Sequence, residues 1–180
     1  MTTRRELTTP RARRGRAAVD RGKATERAVA YRALPPYWPE AKRARDNGSE
    51  WTPDMGDVVN AGDLFWSVKG DRSAREPAKI AAWTREMQEK AGPDRMGVLV
   101  ERRDRVADPL RWWAWVWSSD LVQAVWQDRD DTWPNVLVRL ELGDLLDLFA
   151  CAGLTAAIPE RTRQRPPLDR LEFDAIVDLK

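Results

Sequence analysis

Asp57, Ser67 and Lys69 are the residues whose types and spacing point most directly to chemistry. They lie in the stretch WTPDMGDVVNAGDLFWSVKG, residues 51–70. Asp57-Val58-Val59 is a short β-branched run, Asn60-Ala61-Gly62-Asp63 supplies turn residues, and Leu64–Lys69 is an apolar run of strand length, so the segment predicts a β-hairpin. A turn near Ala61-Gly62 sets Asp57 opposite residues 66–68, and side chains two apart on a strand share a face. The spacing therefore predicts that Asp57, Ser67 and Lys69 face one small volume. A carboxylate and a lysine held on a rigid sheet suit metal-dependent phosphodiester hydrolysis. The acid holds Mg²⁺, with Mn²⁺ as the alternative, and the ammonium orients an attacking water or steadies the charge developing on the phosphate.

Composition narrows the remaining chemistry. The 180 residues contain no histidine and one cysteine. This excludes Ser-His-Asp and Cys-His catalysis, histidine-ligated metals, an intrachain disulfide and a cysteine-based zinc site. Cys151 sits in an apolar helical pattern and is expected in the core. No Gly-rich phosphate loop is present, which argues against an ATPase or a dehydrogenase. No apolar run is long enough to span a membrane, and Arg4-Arg5 is not followed by a signal-peptide core. The expected location is the cytoplasm in which the chain is made. The net charge is only +2, yet residues 1–18 carry Arg4, Arg5, Arg11, Arg13, Arg14 and Arg16 against Glu6. That segment reads as a flexible arm drawn to phosphates.

Other elements must position the hairpin. Residues 19–33 predict a helix whose stripe of Val19, Gly22, Glu26, Val29, Ala30 and Ala33 includes one acid. A carboxylate on a packed face needs a partner: a metal, Lys69, or a surface lysine or arginine such as Lys23 or Arg27. Lys42, Arg43 and Arg45 lie in a charged run ahead of the hairpin and are candidates for phosphate contact, as is Lys23. Asp54 of Pro53-Asp54 fits the spacing to Lys69 less well than Asp57. Residues 76–91 predict a helix with Pro77 in its first turn and Gly92 at its stop; Ile80, Trp83, Met87 and Ala91 make its buried stripe, with Glu86 on the flank. Residues 96–101 predict a strand. Residues 112–117 (WWAWVW) predict another, apolar on both faces and covered by helices on both sides. Packing accounts for its tryptophans better than base stacking does. Residues 121–126 are ambiguous, 128–131 form an acidic loop, 136–141 an edge strand and 143–152 an amphipathic helix. Residues 161–167 form a basic linker, and 168–180 a short docking strand or helix.

Two motifs together resemble the PD-(D/E)XK nuclease superfamily, and within it the phage-borne, archaeal-type Holliday junction resolvases. Gly22-Lys23-Ala24-Thr25-Glu26-Arg27 matches the Gly-x-x-x-Glu-Arg helix that opens such domains. Gly56-Asp57 with Ser67-Val68-Lys69 matches the Gly-Asp and Glu-x-Lys of the hairpin, except that Ser67 stands where that family has an acidic metal ligand. A hydroxyl is a weaker ligand for a hard cation. Some restriction enzymes of the superfamily read Ser-x-Lys here and take the acid from the following helix, a part open to Glu86, less so to Glu76, with Gln88 weaker still.

The resemblance implies a single α/β domain over residues 19–153 with a restriction-endonuclease-like core. This is a mixed sheet of about five strands flanked by helices, between basic flexible termini at 1–18 and 154–180. It implies a Mg²⁺-dependent endonuclease acting on branched DNA as a homodimer, with Asp57, Glu26 and Glu86 as metal ligands and Asp57, Lys69, Glu26 and Ser67 in the catalytic set. Arg11, Arg13, Arg14, Arg16, Lys23, Lys42, Arg43 and Arg45 then contact DNA. Two other readings fit the sequence: a nuclease-fold protein that binds DNA with weakened or lost cleavage because of Ser67, and an interaction protein with a tryptophan-rich surface.

Overall fold

Helix α1 (Pro10–Ala28) begins well inside the basic N-terminal segment. The structure is a computed structural model that describes residues 10–46, 55–70, 76–126, 135–160 and 176–177. Arginine and alanine are strong helix formers and proline suits the first helical position, so helix propensity outweighs the charge run from Pro10 onward. This corrects the expected flexible arm for residues 10–18; residues 1–9 lie outside the described part. Val19 is 56% exposed, so the buried stripe starts at Thr25. The helix ends in a π-helical turn, Val29–Ala33, that buries Val29, Ala30 and Ala33.

The sheet follows chain order: β1 (Lys42–Arg43), β2 (Val58–Val59), β3 (Leu64–Lys69), β4 (Met96–Glu101), β5 (Trp113–Trp117) and β6 (Leu137–Glu141). The two-residue β7 (Ile176–Val177) adds beyond β6, so β6 is not the edge strand expected of it. Neighbours are antiparallel except β3 and β4, which run parallel through helix α2 (Pro77–Ala91). A parallel pair needs such a crossover. The ambiguous segment is helix α3 (Ser118–Trp126), and α4 (Leu142–Cys151) follows β6 directly. The sheet is thus mixed and flanked by helices, with seven strands among the described residues, three of them only two residues long, against the five or so expected.

Strand alternation divides the core. Trp66, Val68, Val98, Val100, Ala114, Val116 and Val138 pack with the π turn and with Leu142, Leu145, Leu146 and Phe149 of α4. Phe65, Leu99, Trp115 and Leu137 face the other way, where α2 supplies Ile80, Met87 and Ala91. Cys151, expected in the core, is exposed; it is the last residue of α4, and Phe149 and Ala150 carry the apolar face there.

Gly70 lets α1 cross the end of β3. A Cβ at Gly70 would lie 2.6 Å from Thr25 Oγ1 and 3.2 Å from the Arg21 carbonyl, whereas Gly22 has open space around it. Gly70→Ala should therefore destabilise the protein by about 1–3 kcal/mol in urea unfolding. Adding Thr25→Ala should recover part of that loss, so the double variant is more stable than the sum of the singles.

Candidate functional site

The hairpin forms as its sequence pattern predicts, and its tightest contacts converge on Asp57. The Asp57 N–H donates to the Trp66 carbonyl at 2.7 Å, and the Ala44 N–H donates to the Asp57 carbonyl at 3.0 Å. Asp57 Oδ2 accepts from the Val68 N–H at 2.6 Å. The Trp66 indole N–H donates to the Ala61 carbonyl at 3.1 Å and so fastens the turn to its own strand. Gly56 has φ +77°, and a Cβ there would stand 2.7 Å from the Trp66 carbonyl oxygen. Only glycine accepts both that backbone conformation and that approach.

Helix α2 closes the site from the opposite side. Gly56, Asp57, Ser67, Lys69, Glu86 and Lys90, over a floor of Phe65, Trp66 and Met87, line a cleft of about 170 Å³. Glu86 Oε1 lies 2.5 Å from Lys90 Nζ, and Glu86 Oε2 lies 3.7 Å from Lys69 Nζ. The Lys69 ammonium also stands 6.0 Å from the centroid of the Trp83 ring. Burial pushes the Asp57 carboxyl above its ordinary value, against the opposing pull of the Val68 N–H and the charges of Lys69, Lys90 and Arg45. Glu86 is held below its ordinary value, first by its hydrogen bond to Lys90 and further by Lys69. The cleft thus holds one carboxylate reluctant to ionise and one ionised between two ammoniums.

Glu26 does not line the cleft. Its Oε2 lies 3.0 Å from Arg43 Nε, a charge contact whose N–H is not aligned as a hydrogen bond. The Glu26 carboxyl is raised first by burial and next by the negative charge of Asp57, with Arg43 and Arg45 opposing. Its partner is therefore neither Lys69 nor the helix neighbours Lys23 and Arg27. Arg43 is 5% exposed, which corrects its expected part as a phosphate contact: it is the buried counter-ion of Glu26, with Asp46 3.7 Å away. The Tyr31 hydroxyl completes the cluster by donating to Asp46 at 2.9 Å.

Of the other expected residues, Arg16, Lys42 and Arg45 are exposed and Lys23 is half-buried. Arg11, Arg13 and Arg14 lie on α1, and their side chains are not among the described ones. Asp54 also lies outside the described residues. Glu76 is the exposed N-cap position of α2, away from the cleft lining, and Gln88 hydrogen-bonds Asp120 instead. Among the described residues no three acidic side chains gather as a ready-made metal cluster. Two carboxylates and a hydroxyl still suit Mg²⁺, which takes one or two protein carboxylates and keeps several waters.

Sequence reasoning missed Lys90, although it follows Glu86 by four residues, the helical spacing for one face. It also missed Glu101, which is 6% exposed, sits in register beside Lys69, and accepts from the Trp115 indole N–H at 2.9 Å. An acid closing the apolar run MGVLV was the available signal. Compared with protein-family models, with curated proteins and with solved structures, the chain matches none.

Two stability outcomes follow from these charges. The native state disfavours ionised Asp57, so its stabilising contribution is present at low pH and is lost as pH rises through the raised pKa. Asp57→Asn should raise Tm at about pH 8, and the difference should vanish below about pH 4, where the wild-type carboxyl is protonated in both states. Arg43→Met should cost about 2–4 kcal/mol at neutral pH by leaving Glu26 without its counter-ion beside Asp57. That cost should shrink in mild acid, where Glu26 takes up a proton.

Proposed function

We propose that this protein is a metal-dependent endonuclease that hydrolyses phosphodiester bonds in branched DNA, as the resemblance to the PD-(D/E)XK resolvases implies. The observation that carries the reading is the cleft in which Asp57, Ser67, Lys69 and Glu86 meet between the hairpin and α2. Asp57 and Glu86, with the Ser67 hydroxyl, would hold Mg²⁺ or Mn²⁺, which when bound supplies the positive charge that polarises a phosphate.

The chain's own groups do the rest. The Val68 N–H fixes the orientation of the Asp57 carboxylate, so no rotamer must be ordered when substrate arrives. Lys69, partly buried, orients an attacking water and stabilises charge developing on the phosphate oxygens. Lys90 adds a second ammonium at the rim of the cleft. Exposed Arg16, Lys42 and Arg45 would offer phosphate contacts, and Arg45 is close enough for its charge to act on both Asp57 and Glu26. Symmetric cutting of a four-way junction requires two such clefts, hence a homodimer.

A second reading has its own observation. Glu86, the acid available to stand in for the one absent at Ser67, is already neutralised by Lys69 and Lys90. On that reading the protein binds branched DNA without cutting it. One assay separates the two: labelled four-way junction and matching linear duplex, each in Mg²⁺ and in Mn²⁺. The endonuclease reading expects paired nicks in the junction, reduced at least a thousandfold by Asp57→Ala and about a hundredfold or more by Lys69→Met. It also expects Ser67→Glu to keep or raise the rate. Salt-sensitive binding with no cutting in either metal would support the second reading.

A further inference from the structure

The register of the sheet carries one row of side chains away from the cleft. Lys69 pairs with Glu101, Glu101 with Trp113, and Trp113 with Glu141; the next row is Ser67, Leu99, Trp115 and Arg139. Directly paired residues share a face, so both rows lie on the α2 side. Helix α2 covers β3 and β4 and reaches Trp115, while α3 and α4 belong to the opposite layer. This departs from the expectation that helices cover both faces of the tryptophan strand: at Trp113 the cover is arginine.

Trp113 carries the Arg103 guanidinium 4.1 Å from its ring centroid and that of Arg139 at 4.5 Å. Arg139 also lies 5.4 Å from the Trp115 ring. The two arginines differ in what else holds them. Arg103 is pinned by Glu141 at 2.6 Å and by the Arg111 carbonyl at 2.9 Å. Glu101, the other acid of the row, is buried and bonded to the Trp115 indole. Arg139 has no ion pair or hydrogen bond among the described residues. A half-buried guanidinium stacked against the half-buried Trp113 indole, over the buried Trp115, with no N–H donor spent among the described residues, suits a ligand that is planar, aromatic and negatively charged along its backbone. Trp113 is two strand spacings from Lys69, about 10 Å, which is within reach of a few nucleotides.

We propose that the Trp113–Arg139 surface stacks the unpaired bases of a DNA strand adjoining the phosphate held at Lys69, so that the preferred substrate carries a single-stranded segment next to the cut. This rests on the DNA-cleavage reading and narrows its substrate. A base stacks on the indole or guanidinium plane, and Arg139 meets the neighbouring phosphate. Such stacking tolerates any base, so the preference is for structure rather than sequence.

The test is fluorescence anisotropy in EDTA, which prevents cutting, with three labelled probes: a short oligothymidylate, a fully paired duplex, and the same duplex with a single-stranded flap. Wild type should bind the flap probe about tenfold more tightly than the duplex. Arg139→Gln and Trp113→Leu should each remove most of that gain, bringing the flap-to-duplex affinity ratio close to one, whatever either variant does to duplex affinity itself. Arg139 is half-buried and has no ion pair among the described residues, so Arg139→Gln keeps the test valid should Trp113→Leu unfold. Equal affinity for flap and duplex would overturn the proposal while leaving the DNA reading standing, as would variants that lower Tm without changing the flap-to-duplex ratio. Equal affinity for the two DNA probes, with the surface instead binding a proline-rich peptide, would reassign it to a protein partner and overturn the proposal. Binding to none of the three DNA probes would overturn both the proposal and the reading beneath it.

Discussion

The rest of the site depends on one hydrogen bond, from the Val68 N–H to the half-buried Asp57 carboxylate. A carboxylate withdrawn from water is costly unless its oxygens are satisfied. Here a main-chain donor and three nearby cationic side chains meet that cost in part, and the residual burial still leaves the acid hard to ionise. The same residue joins three strands, because its N–H binds β3 through Trp66 while its carbonyl receives the Ala44 N–H beside β1. Gly56 makes the arrangement possible, since its left-handed φ and missing Cβ let the chain lie against the Trp66 carbonyl. A cation in the cleft would relieve the burial cost at Asp57, which is what the proposed metal role asks of it.

The charges around Asp57 fall into two groups on opposite sides. On the α2 side, Glu86 bridges Lys69 and Lys90, keeping both ammoniums near the cleft. On the α1 side, Glu26 is paired with buried Arg43, and its carboxyl feels Asp57 as a repelling neighbour. The two carboxyls therefore influence each other through the field without sharing the cleft. Packing fixes this division. Gly70 sets α1 against the end of β3, while Met87, whose atoms would stand 2.8–3.0 Å from a Cβ at Gly97, sets α2 against β4. Small shifts at either contact would alter how strongly the two charge groups interact.

Much of the fold was legible because its signals are local. The β-branched run, the Asn-Ala-Gly-Asp turn and the apolar run to Lys69 define the hairpin; Pro77 and Gly92 bracket α2. What escaped is long-range or a matter of degree. The pairing of Glu26 with Arg43 joins residues on different elements, and no spacing rule reveals it; the nearer Lys23 and Arg27 were the natural candidates. Glu101 ends an apolar run, and its burial depends on the Trp115 indole across the strand pair. The helix over residues 10–18 was hidden by charge, although arginine and alanine are good helix formers. Cys151 followed an apolar period but falls at the last position of α4, where the core has ended. The tryptophan strand was read as covered on both faces, and one face proved to be covered in part by arginine.

The claim most in need of a direct measurement is that Asp57 and Glu86 share one divalent cation. Mn²⁺ binding followed by electron paramagnetic resonance, without DNA, reports this independently of cleavage. The account expects one site per chain in the wild type, weakened at least tenfold by Asp57→Asn and by Glu86→Gln, and strengthened by Ser67→Glu. Mn²⁺ affinity unchanged by Asp57→Asn would contradict it and remove the cleft as a metal centre.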